Sequence, residues 1–170
     1  MIKLKKTNVA RLMDQAGIDY SLVEYDVDET DLGAKHVADS LGENIEQVFK
    51  TIVLQGDKVK HLVCIVPGAE EVDLKQAAKV SGNKKCEPLP LKELLPTTGY
   101  IRGGCCPIGM KRNFPTYMDA SAQKFSFIYV SAGVRGLQLK IAPDDLLRQA
   151  RAQYATLIKG EDERLPYSTF

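Results

Sequence analysis

The sequence predicts one mixed α/β domain: a mostly antiparallel sheet, curved or partly closed into a barrel, with helices surrounding it. Three observations lead there. Segments of period-two apolar alternation are interleaved with segments of helical period, with no linker or internal repeat between them. Two pairs of strand-like runs are joined by short turns, Gln55 to Lys58 and Ser131 to Gly136, as antiparallel hairpins require. The 170 residues are 44% hydrophobic and 26% charged, enough for a single sizeable core.

Each element has its own reason. Thr7 is placed to cap a helix whose apolar face is Val9, Leu12, Met13 and Ala16, and Gly17 ends it. Tyr20 to Tyr25 alternates as a strand, and the acidic segment Asp26 to Asp31 is turn-prone. Gly33 precedes a short helix carrying Val37, Ala38 and Leu41, stopped by Gly42. Ile45 to Val48 makes a helical turn into the strand Val48 to Leu54, and Lys60 to Val66 returns beside it. Asp73 caps a helix through Leu74, Ala77, Ala78 and Val80 that stops near Gly82. Lys84 to Cys86 reads as a short strand, and Leu91 to Leu95 as a short helix ended by Pro96. Lys124 to Val130 and Leu137 to Ile141 read as strands. Pro143 opens a last helix, with Asp144 and Asp145 in its first turn and a stripe of Leu146, Leu147, Ala150, Tyr154 and Leu157. The domain is expected over residues 1–160, with a loosely ordered tail at 161–170.

Composition narrows the chemistry. A net charge of +1 is not the footprint of a protein that holds nucleic acid by bulk electrostatics. No apolar run reaches membrane-spanning length, and Met1 to Lys6 lacks the apolar region of a secretory signal, so a cytoplasmic protein without a membrane partner is expected. The cysteines, at 64, 86, 105 and 106, lack C-x-x-C spacing, which points away from a zinc site or a dithiol redox motif. No metal or other cofactor is expected. His36 and His61 have no evident nucleophile partner, and no G-x-S-x-G elbow is present.

Two stretches remain as candidates for function. Gly99 to Arg112 carries Gly103, Gly104 and Gly109 around Pro107, which suits neither a helix interior nor a regular strand. Such a loop either turns the chain tightly or points several N–H groups into one concavity that accepts an oxyanion or hydroxyl. Lys50 sits in the strand Val48 to Leu54 among apolar neighbours. Its ammonium either protects a sheet edge or serves an anionic or polar ligand.

Phe-Lys-Thr at 49–51, Tyr-Ile-Arg-Gly-Gly-Cys-Cys-Pro-Ile-Gly at 100–109 and Ser-Ala-Gly-Val-Arg-Gly at 131–136 together resemble the YbaK/EbsC-type aminoacyl-tRNA deacylases, relatives of the editing domain inserted in bacterial prolyl-tRNA synthetases. The resemblance runs from about residue 7 to 158 with the motifs in the same order. It implies release of cysteine from mischarged Cys-tRNA(Pro), with the substrate's own thiol attacking its ester. The partners it implies are the 3′-terminal adenosine and cysteinyl group of an aminoacyl-tRNA, and prolyl-tRNA synthetase in a transient complex. It assigns Lys50 as the catalytic residue, and Tyr20, Thr51, Gly103, Gly104, Cys106, Pro107, Gly109 and Ser131 to substrate binding. Cys106 stands where relatives commonly carry serine, Gln138 where some carry aspartate, and Leu32 where an aromatic residue is usual.

Overall fold

The two periodicities resolve into two open sheets with helices packed around them. The structure, a computed structural model, describes residues 7–159. The tail expected at 161–170 lies outside the described residues. Along the chain run helices α1 (Asn8–Ala16), α2 (Ala34–Leu41), α3 (Leu74–Ser81), α4 (Leu91–Thr98) and α5 (Pro143–Gln149). The strands are β1 (Tyr20–Glu24), β2 (Phe49–Gly56), β3 (His61–Pro67), β4 (Cys86–Pro88), β5 (Thr116–Asp119), β6 (Ile128–Ser131), β7 (Leu137–Ile141) and β8 (Ala152–Ala155).

One sheet has the order β1-β7-β6 and is antiparallel throughout. The other has the order β4-β2-β3-β5-β8, antiparallel around β2 and parallel from β3 to β8. The two meet at one bridge, Val48 to Tyr129, and do not close. The mixed α/β class is as expected, and the curvature resolves into two sheets joined at a seam. Met13, Ile65, Met118, Ile128, Leu139 and Leu146 fill the core that α1 and α5 share with both sheets.

Local chemistry explains most boundaries. Thr7 Oγ1 accepts from the Ala10 amide at 3.2 Å, and Gly17 closes α1 at φ 70°. Asp73 Oδ1 accepts from the Lys75 and Gln76 amides at 3.0 and 3.3 Å.

Several elements depart from the sequence expectation, among them β5, which has no counterpart in it. Pro96 lies inside α4, because one missing N–H in the last turn is outweighed by Gly99 donating to the Leu95 carbonyl at 2.8 Å. The last helix stops at Gln149: Arg151 turns to φ 54°, and Tyr154 passes into β8 instead of continuing the helical stripe. Strand β4 begins at Cys86 rather than ending there. Residues 120–124 form a 3₁₀ turn, so only Ile128 to Ser131 of that stretch is strand.

Candidate active site

Strand β2 is the seam between the sheets. Its β3 side is paired along its length, while on the other side β4 pairs only Leu54 to Gly56. Along residues 48–53 the second edge borders a cleft of about 400 Å³. The other walls come from the start of α2, from α4, from the glycine loop and from the β6–β7 hairpin. Val53, Leu89 and Cys105 pack together as its apolar side.

Polar groups converge on the same space. Lys50 is half-buried, lines the cleft and has no ion-pair partner among the described residues. An ammonium held among apolar walls without a counter-ion is suited to an anionic or strongly polar ligand. Beside it, Thr51 Oγ1 is buried and unpartnered, and so is Gln138 Oε1 from the facing hairpin. Leaving such atoms unpaired costs about 1–3 kcal/mol each, and both belong to residues that line the cleft, although the oxygens themselves are covered. Ser131 lies opposite Gln138 in register and also lines the cleft. Its Oγ accepts from the Gly133 amide at 3.2 Å, which leaves its hydroxyl proton to donate.

The glycine loop enters the cleft at one end only. Arg102, Gly103 and Cys105 line it, and Gly103 takes φ 85°. Gly104 is buried, and a Cβ there would lie 3.2 Å from the Val134 Cα, so its role is close packing of the loop on the neighbouring turn. Cys106 and Pro107 turn into the interior, where Cys106 packs with Val9, Met13 and Phe49. Gly109 sits beyond them, at φ 79°, where a Cβ would come within 2.8 Å of Tyr100 Oη. Of the loop residues assigned to substrate, then, Gly103 faces the cleft, while Gly104, Cys106, Pro107 and Gly109 shape the loop behind it.

Tyr20 is placed elsewhere. It starts β1, and its Oη donates to Asp14 Oδ1 at 2.7 Å. The tyrosine that lines the cleft, along with Phe49, is Tyr25, about 17 Å further along at ordinary strand rise. Tyr25, Arg102, Cys105 and Gln138 therefore join the site as residues that the sequence reading did not assign to it. Strand alternation alone could not have chosen between Tyr20, which starts β1, and Tyr25, just past its end.

The thiols are quiet. Burial pushes Cys105 and Cys106 up to about 12, so neither is a thiolate at neutral pH. All four cysteines are free. Among the described residues no cluster of three His, Cys, Asp or Glu side chains is placed to hold a metal ion. Among the same residues no helix is long and apolar enough to cross a membrane.

A half-open sheet seam carrying a lone lysine, a glycine loop and polar residues makes the candidate small-ligand site. Comparison with known proteins gives its class. The aminoacyl-tRNA editing domain family matches residues 31–149, and the chain belongs to that family. More particularly, the chain is 48% identical over 157 residues to the Enterococcus faecalis (strain ATCC 700802 / V583) protein named "Putative Cys-tRNA(Pro)/Cys-tRNA(Cys) deacylase EbsC", covering 92% of this chain and 96% of that one. It is 25% identical over 126 residues to "Uncharacterized protein YwhH" of Bacillus subtilis (strain 168), covering 72% and 80% of the two chains. The fold matches a solved structure titled "Crystal structure of a putative trans-editing enzyme for prolyl tRNA synthetase", with a TM-score of 0.79, 24% identity, and 92% and 100% of the chains covered.

Proposed function

We propose that this editing domain removes cysteine from mischarged Cys-tRNA(Pro). The observation that carries the reading is that Lys50, Thr51, Ser131 and Gln138 line one cleft bounded by Gly103. The family membership and the name of the E. faecalis relative support the substrate class.

The physical need is plain. Cysteine and proline have similar volumes, and small apolar differences discriminate by only about 1–3 kcal/mol, so a second site with different chemistry must reject the error. In the proposed reaction the substrate's thiol loses its proton and its sulfur attacks the ester carbonyl carbon. The carbonyl oxygen becomes an oxyanion. Its collapse breaks the bond to the ribose oxygen, which takes up a proton, and cysteine departs as a cyclic thiolactone that water later opens.

Such a step asks the protein for orientation and for a cation near the developing charge. Lys50 supplies the cation, and backbone amides at Gly103 hold the carbonyl or a ribose hydroxyl. Thr51, Ser131 and Gln138 orient the aminoacyl-adenosine. Val53, Leu89 and Cys105 enclose the small side chain. The near-neutral net charge supports a role for prolyl-tRNA synthetase, in a transient complex, in presenting the tRNA.

The test is a deacylation panel over Cys-, Ala-, Ser- and Pro-tRNA, with and without prolyl-tRNA synthetase. Cys-tRNA(Pro) should be cleaved well above its spontaneous rate, and substrates lacking the thiol sharply more slowly. Equal rates on Ala-tRNA(Pro) would replace thiol assistance by a broader deacylase. Binding without turnover would leave a non-catalytic module.

A further inference from the structure

Beside the cleft lies a second, more open cavity of about 620 Å³, lined by Glu24, Tyr25, Asp26, Ser40 and the turn Val134 to Leu137. Tyr25 is the wall common to both cavities. Arg135 leans from this second cavity toward the first, where its Nε donates to the Arg102 carbonyl at 2.9 Å. Its guanidinium has no ion-pair partner among the described residues.

The mixture of groups is selective. Two carboxylates, Glu24 and Asp26, make the cavity unfit for a simple anion, while a lone guanidinium and an aromatic ring suit a nucleoside joined through one phosphate. Aromatic rings stack on unpaired bases, arginine contacts phosphodiesters, and carboxylates accept from the cytosine 4-amino group.

We infer that this second cavity is a subsite for the nucleotide preceding the terminal adenosine, the cytidine of a CCA end. Tyr25 stacks on its base, Glu24 or Asp26 accepts from its amino group, and Arg135 contacts the phosphate linking it to the adenosine. The inference rests on the reading above that the first cleft takes the adenosine with its aminoacyl group.

The experiment uses unacylated ligands, so that it does not depend on cleavage. Binding of cytidylyl-(3′→5′)-adenosine, uridylyl-(3′→5′)-adenosine and adenosine is measured by NMR titration of the full chain and of Arg135→Gln. Glutamine keeps a donor at the position of the arginine Nε and deletes the charge. The cytidine dinucleotide should bind wild type about tenfold or more tighter than adenosine, as expected for one stacked base and one phosphate contact. Arg135→Gln should lose most of that gain while binding adenosine as wild type does. Equal affinity for the cytidine dinucleotide and adenosine, or an equal loss of both in the variant, would overturn the subsite. Equal affinity for the cytidine and uridine dinucleotides would overturn the carboxylate contact. If the dinucleotide gain is found but no aminoacyl-tRNA is cleaved, the deacylase reading fails and the subsite stands. The converse result removes the subsite alone.

Discussion

Tyr100 Oη donates to the Ile108 carbonyl at 2.6 Å, and that bond closes the glycine loop on itself. The ring is wedged between two glycines at positive φ. A Cβ on Gly109 would lie 2.8 Å from Tyr100 Oη, and one on Gly133 would lie 3.2 Å from its Cε1. One phenol therefore helps tie the 103–109 loop to the 131–136 turn, two segments that pack directly on each other and each give a residue, Gly103 and Ser131, to the cleft wall.

Tyr100→Phe keeps the ring and removes the bond, leaving a carbonyl unpaired. It should lower stability by about 1–3 kcal/mol in urea denaturation. Deacylation should fall with it, because Gly103 is no longer held. Unchanged stability would mean that the loop is closed by packing alone.

Lys50→Ala removes the cation from the cleft without opening the core, since Lys50 is half-buried in the cleft wall and belongs to no core cluster. We expect kcat to fall about 10²–10³-fold, as for loss of one group that stabilises transition-state charge, with the melting temperature nearly unchanged. Full activity in a folded variant would remove Lys50 from the mechanism.

Thr51→Val replaces a buried, unpartnered hydroxyl by a methyl of similar shape. Thermal stability should rise, by about 1 kcal/mol, while KM for the aminoacyl-tRNA rises as a ligand contact disappears. A stabilised variant with unaltered kinetics would show that the hydroxyl never meets substrate.

Burial pushes the thiols of Cys64, Cys105 and Cys106 from their ordinary 9.0 up to about 12. Above pH 9 the unfolded chain gives up protons that the folded chain keeps, so stability must fall as pH rises from about 9 toward 12. Melting temperatures measured from pH 7 to 10.5 should be level at first and then decline. Cys106→Ala should shallow the decline, although it lowers stability at neutral pH by opening a small cavity.

Much of the architecture is legible along the chain. Thr7 and Gly17 bracket α1, Asp73 and Gly82 bracket α3, and the hairpin from β2 to β3 follows from its two alternating runs and the turn between them. Lys50 could be picked out because a cation inside an apolar strand is chemically conspicuous. These are local signals, carried by caps, periods and side-chain type within a few residues.

Other elements depend on distant partners. The short strands β5 and β8 pair in parallel with neighbours far away in sequence, which no local period records. Arg151 breaks the last helix so that the next four residues can join β5, and the apolar stripe through Leu157 serves a strand as well as it would a helix.

By itself the sequence determined most of the helices, the hairpins, the family motifs and the presence of a cation within an apolar strand. The tertiary structure alone decided which faces of those motifs meet. Gly103 turns to the cleft while Cys106 and Gly109 turn from it, and Tyr25 rather than Tyr20 lines the wall. The physical reason is that an irregular loop has no intrinsic inside or outside. Packing around Tyr100 and the antiparallel register of β1 on β7 impose one, and both are contacts between residues far apart in the chain.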